Sequence, residues 1–220
     1  MFPVNTLLIT ESANRSFRKR SETRHLVLHE TVSQATARQQ LAYFNSGSRD
    51  ANAHGFIDWN EILLTLPFDE VGWHVGQPAN QFTEGYELCR ASNADDFAKQ
   101  WVMATWWFAQ RCTVYGRGAD FIRSHHEIAL QYGGTDHTDP DEYFAMYGKT
   151  VDDFRSDVDK ILKGEVDYML SVSDANKIIA CLKASYGLIE SVPGADEARK
   201  EIGRLADELR KASGQPTQNS

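Results

Sequence analysis

Apolar positions fall into short runs up to about Arg90 and into helical stripes beyond it. Arg24–His29 (RHLVLH) is leucine-rich and β-branched, which predicts a buried strand. Ser33 is a candidate cap for a helix from about Gln34 to Phe44, and 45–52 (NSGSRDAN) reads as a loop. His54–Asp58 and Ile62–Leu66 predict two strands joined through Asn60–Glu61 and closed by Pro67, and Gly85–Arg90 predicts another. Between them, GWHVGQPAN is punctuated by Gly and Pro and reads as irregular.

The helical stripes are clearer. Phe97, Trp101, Ala104, Phe108, Cys112 and Tyr115 recur at helical spacing between Asp95–Asp96, which complement a helix N-terminus, and Gly116. Thr150 and Asp153 form a capping-box-like pair ahead of Val151, Phe154, Val158 and Leu162, with Lys163–Gly164 as the stop. After Gly164, Ile178, Leu182 and Ile189 make one stripe and Ile202, Leu205 and Leu209 another, parted by Pro193–Gly194. That is the pattern of an αα-hairpin, with a frayed end from Gly214. The division expected is an α/β unit over 1–163 and a small helical region over 164–220.

Composition narrows the partners. With 23 Lys+Arg against 31 Asp+Glu the net charge is −8, the wrong sign for binding nucleic acid by phosphate neutralisation. The same sign gives no attraction to an anionic membrane or wall polymer. No apolar run is long enough to span a bilayer. The basic cluster Arg15, Arg18, Lys19 and Arg20 follows the first apolar stretch, the reverse of a signal peptide. Cys89, Cys112 and Cys181 are odd in number and far apart, which favours reduced thiols and synthesis in a cytoplasm. Cys89 reads as a packing residue, and so does Trp101, whose stripe Trp106 and Trp107 cannot both share.

Candidate chemistry lies with the seven histidines. His29 ends a strand, His125 and His126 follow Phe121–Ile122, and His137 precedes Asp139–Pro140. Two histidines and a carboxylate with an open fourth position make a catalytic rather than a structural zinc set.

Six ordered blocks then carry a resemblance: LVLHETVS, ANAHGFIDWNEIL, GWHVG, GYELCR, FIRSHHEIA and TDHTDPDEYF. Over roughly residues 24–147 the chain resembles the zinc-dependent N-acetylmuramoyl-L-alanine amidases of type 2, a family that includes phage endolysins and is related to peptidoglycan-recognition proteins. The resemblance implies an α/β fold, a central mixed β-sheet flanked by helices, with one Zn²⁺ in a groove. It implies His29, His125 and Asp139 as the ligands, His126 standing beside His125 as the alternative. Neighbours in an extended segment face opposite ways, so only one of the two should reach the metal.

It further implies Glu87 as general base and His137, where the family often has Lys, as the group steadying the oxyanion. His does so only when suitably protonated, so a sharper pH dependence is expected. Ala53 stands where several branches carry a catalytic Tyr, and His54, Trp73 and His74 match positions lining the groove.

The function implied is cleavage of the amide joining N-acetylmuramic acid to L-alanine in bacterial peptidoglycan, as a phage endolysin. Such a protein would be made in the host cytoplasm and reach the wall after the membrane is permeabilised. Rival readings are a non-catalytic peptidoglycan-binding protein on the same fold and a cytoplasmic amidase recycling wall fragments. The helical tail is expected to bind the wall or to self-associate. No nucleic-acid partner and no membrane insertion are expected.

Overall fold

The computed structural model describes residues 2–165, 172–212 and 216–218. The chain divides into two compact units, Met1–Glu165 and Val166–Ser220.

The first unit is built on six strands: β1 (Val4–Thr6), β2 (His25–Glu30), β3 (Gly55–Ile57), β4 (Ile62–Leu64), β5 (Thr83–Leu88) and β6 (Ile122–Ser124). Their order across the sheet is β1-β4-β3-β5-β2-β6. The β3–β4 hairpin is antiparallel and every other pairing is parallel, so the sheet is mixed. β2 sits inside the sheet with Leu26, Val27 and Leu28 all fully buried, which is why its sequence runs apolar without alternation.

The two faces of β2 and β5 do different things. Leu26, Leu28, Tyr86 and Leu88 face a helical layer made by α2 (Ala94–Tyr115) and α5 (Val151–Leu162), against Phe97, Trp101, Phe108, Phe154 and Val158. Val27 packs on the other face with Val75, Ala79, Phe82 and Ile128. On that second face the parallel register sets His29 beside Glu87 and Val27 beside Gly85.

The helices obey their caps. Asn93 accepts from the Asp96 amide at the start of α2, and Gly116 closes it at φ 62°. Thr150 and Asp153 form the capping box of α5. Helix α1 (Ala37–Phe44) begins later than the sequence suggested. Thr36 and Gln39 form its capping box and the Ala37 amide donates to Asp58, while the Ser33 hydroxyl is engaged by the Gln40 amide. Trp101 and Trp107 are buried and Trp106 partly so, leaving no aromatic platform on α2. Cys89 is buried against Ile9, Leu41 and Leu63, and all three cysteines are free.

Four further strands and helices escaped the sequence pattern: β1, β6, α3 (His125–Tyr132) and α4 (Asp141–Met146). The expectation that His125 and His126 lie in an extended segment is corrected by α3. Ser124 caps that helix and Glu127 closes the box, so the two histidines open a helix and diverge by about a hundred degrees.

In the second unit α6 (Val172–Ile189) and α7 (Asp196–Ala212) pack together, burying Ala175, Ile179 and Ala206. The Arg199 guanidinium donates to the carbonyls of Ile189, Glu190 and Val192, closing the end of α6. Most of the segment from Gly214, expected to fray, lies outside the described residues. Among the described residues no helix is long and apolar enough to cross a membrane.

Candidate metal centre and groove

His29 leaves the second face of β2 and is 1% exposed. Next to it, β6 runs parallel to β2 and ends at Ser124, the cap of α3. His125, as the first residue of that helix, is thereby set beside His29, their ring centroids 4.6 Å apart. Asp139 arrives on the loop after α3, where Gly133 and Gly134 adopt φ 72° and 87°. A Cβ on Gly76 would collide with the Gly134 backbone, so this loop can close only over glycine. The His126 amide donates to the Asp139 carbonyl at 3.2 Å, and the Glu30 amide to Asp139 Oδ2 at 3.3 Å.

Three side chains converge as a result. His29 Nδ1 lies 3.2 Å from Asp139 Oδ2, and His125 Nδ1 lies 2.9 Å from Asp139 Oδ1. One donor atom from each of the three can be taken so that all lie within 4.8 Å of one another. Burial, then the charge of His125, lowers the His29 pKa to about 4, so the imidazole is neutral and able to ligate. Burial alone would raise Asp139, but the two imidazoles facing it outweigh that and keep it ionised. Two imidazole nitrogens and a carboxylate suit a zinc ion with a fourth position left open, and the residues present fit such a metal.

Glu87 Oε1 is 4.0 Å from His29 Nδ1. Burial, then the charges of Asp139 and Glu30, pushes its carboxyl well above the usual range. A carboxyl so placed takes up a proton more readily than a free one, as a general base must. His137 is 64% exposed on the loop rim, its Nδ1 3.8 Å from Asp139 Oδ1. His126 turns away and pairs with Asp141 Oδ2 at 2.6 Å.

An open groove of about 1250 Å³ runs over this cluster, lined by His29, Glu87, His125, His137 and Asp139 together with Trp73 and His74. His54, expected along it, does not line it. It is fully buried one layer deeper, its Nδ1 accepting from the Gly85 amide at 3.1 Å and its Nε2 2.9 Å from the Glu70 carbonyl. Backbone partners of this kind leave no trace in side-chain spacing. Sequence reasoning also missed Arg90, which holds Glu30 through a bidentate pair at 2.7 and 3.0 Å in the groove wall. Its only signal was its place, three residues past Glu87 on the same strand run.

What this end of the sheet defines is an α/β protein with an open groove over a His–His–Asp cluster that could hold a metal ion. Comparison with known proteins makes the class specific. The profile of the family described as N-acetylmuramoyl-L-alanine amidase matches residues 19–142, more than half of the chain, and the chain belongs to that type-2 amidase family. Protein Ami of Listeria monocytogenes is 28% identical over 153 residues, which are 65% of this chain and 17% of Ami. The bifunctional autolysin of Staphylococcus aureus is 25% identical over 136 residues, 58% of this chain and 11% of that protein. The chain thus spans only a small part of the length of these relatives. The crystal structure of the S. aureus hydrolase AmiA with its ligand shares the fold at a TM-score of 0.65 and 22% identity, over 76% of this chain and 88% of that one.

Proposed function

We propose that this chain is a zinc-dependent amidase that cleaves the bond between N-acetylmuramic acid and L-alanine in bacterial peptidoglycan. The observation that carries the reading is the convergence of His29, His125 and Asp139 beside Glu87 on the floor of an open groove. A zinc ion held by those three would polarise the scissile carbonyl and bring the pKa of its bound water towards neutrality.

The protein's own groups do the rest. Glu87 takes the proton of the attacking water at its carboxylate and returns it to the departing L-alanine amine. His137, exposed at the rim, donates towards the carbonyl oxygen as negative charge develops there. Trp73 and His74 wall the groove that aligns the stem peptide. The host-lysis role of an endolysin belongs to the same reading, supported by the family's membership.

Purified cell walls incubated with the protein should release new L-alanine amino termini and lose that release when a chelator is added. Cleavage that survives chelation, or that exposes new reducing sugar ends instead, would overturn the assignment.

A further inference from the structure

His74 lies in a slot cleared for it. A Cβ on Gly72 would stand 2.7 Å from His74 Cδ2, and one on Gly85 would stand 2.5 Å from Cε1. Neither glycine has a positive φ, so what each supplies is room rather than backbone freedom. Gly85 is the β5 partner of Val27, two residues before His29, and its bare backbone opens the sheet face on which His74 rests.

From this slot the ring makes two polar contacts, and the hydrogen count fixes its proton. The Thr83 hydroxyl donates its single hydrogen to the Ala79 carbonyl at 2.8 Å. Towards His74 Nε2, 3.5 Å away, it can therefore only accept, which favours the tautomer with the proton on Nε2 and a bare lone pair on Nδ1. That lone pair faces His29 Nε2 at 2.9 Å, a separation that requires one hydrogen between them, which must sit on His29. His29 is then protonated at Nε2 and bare at Nδ1, the nitrogen turned to Asp139. Two acceptors 3.2 Å apart, Nδ1 and the Asp139 carboxylate, make an arrangement that a cation between them would relieve.

We propose that Thr83 and His74 are positioning residues, a relay that holds His29 in the metal-binding tautomer through its far nitrogen. The role rests on the zinc-amidase reading, in which His29 Nδ1 is a ligand, and is one for which nothing in the groove itself would select Thr83. Outer partners of this kind are worth about 10- to 100-fold in metal affinity.

The wild type, Thr83→Val, His74→Ala and His74→Asn are compared in the metal-free state by histidine ring nitrogen NMR and by melting temperature. Zinc affinity is then measured by competition with a chromogenic chelator. The wild type should show His29 protonated at Nε2. Thr83→Val and His74→Ala should mix the His29 tautomers and weaken zinc binding about 10- to 100-fold. His74→Asn, whose side-chain oxygen takes the place of Nδ1, should restore most of it. A wild-type His29 protonated at Nδ1, or wild-type zinc affinity in both Thr83→Val and His74→Ala, overturns the relay. A wild type that binds no zinc overturns the amidase reading instead, and the metal-free tautomer still decides the relay on its own.

Discussion

Glu87 and His29 are neighbours because parallel strands pair them residue for residue, so the proposed base on β5 and the proposed ligand on β2 are held side by side in the sheet. Glu87→Gln keeps the shape and removes the proton acceptor. Its turnover on muropeptides should fall about 10²- to 10⁴-fold while metal analysis finds the zinc content unchanged. Loss of zinc in step with activity would instead make Glu87 a ligand. His137 differs in kind, standing 64% exposed on a loop with its ring 4.8 Å from that of His125. His137→Ala should lower turnover about 10²-fold with the melting temperature and zinc content of the wild type, and an unchanged rate would remove it from the reaction. The candidate site was legible through ordered blocks of sequence, since no periodicity links positions 29, 87, 125 and 139. What stayed hidden at this scale was depth. Ala53–His54 reads the same whether the imidazole faces the groove or, as it does, the backbone of Gly85 and Glu70 beneath it. Thr83, two residues ahead of the strand predicted from Gly85, reaches His29 through His74.

Elements were legible where their local signals agreed, more than by length. Helix α2 runs six turns with an apolar stripe, a cap and a terminal glycine, each pointing the same way. Strands β1 and β6 have three residues each, too few for a period, and the β1 side chains are all exposed. Strand β5 begins at Thr83, ahead of the run predicted from Gly85, and so takes in a charge the sequence reading passed over. Glu84 shares the face of Tyr86 and Leu88 and is fully buried between β5 and α2. There it accepts from Arg111 at 2.7 and 3.0 Å, from Tyr115 at 2.6 Å, from Tyr86 at 2.7 Å and from Arg20 at 3.2 Å. Burial acts to raise its pKa, but the Arg111 hydrogen bonds and the surrounding charges outweigh it and hold the carboxyl below its ordinary 4.5. A carboxyl lowered by folding contributes stability that is present above 4.5 and is lost as pH falls below it. Glu84→Gln should therefore cost about 3–5 kcal/mol at neutral pH, leaving two buried guanidiniums short of a counter-charge. Its melting temperature should also fall less steeply than the wild type's in acid. Parallel acid profiles for the two proteins would show that Glu84 does not govern acid unfolding.

Charge at the scale of the whole molecule constrains how the substrate is met. The net −8 is carried as −6 by residues 1–163 and −2 by residues 164–220, so neither part is drawn to an anionic wall. Retention on peptidoglycan must then come from specific contacts, and we propose that the α6–α7 unit supplies them. The division of the chain into two compact units after Glu165 makes the test direct. A protein ending at Glu165 keeps every residue of the metal cluster and the groove, and should hydrolyse soluble muropeptides at the full-length rate. On sedimented walls it should fail to pellet, whereas the full chain should pellet equally at low and high salt, because screening has no attraction to remove. Pelleting that collapses with salt would reveal a local basic contact that the net charge conceals. Pelleting by the shortened protein as strong as by the full chain would place wall retention in the groove unit. The helical hairpin would then be left to self-association, which sedimentation of the full chain against the shortened one measures.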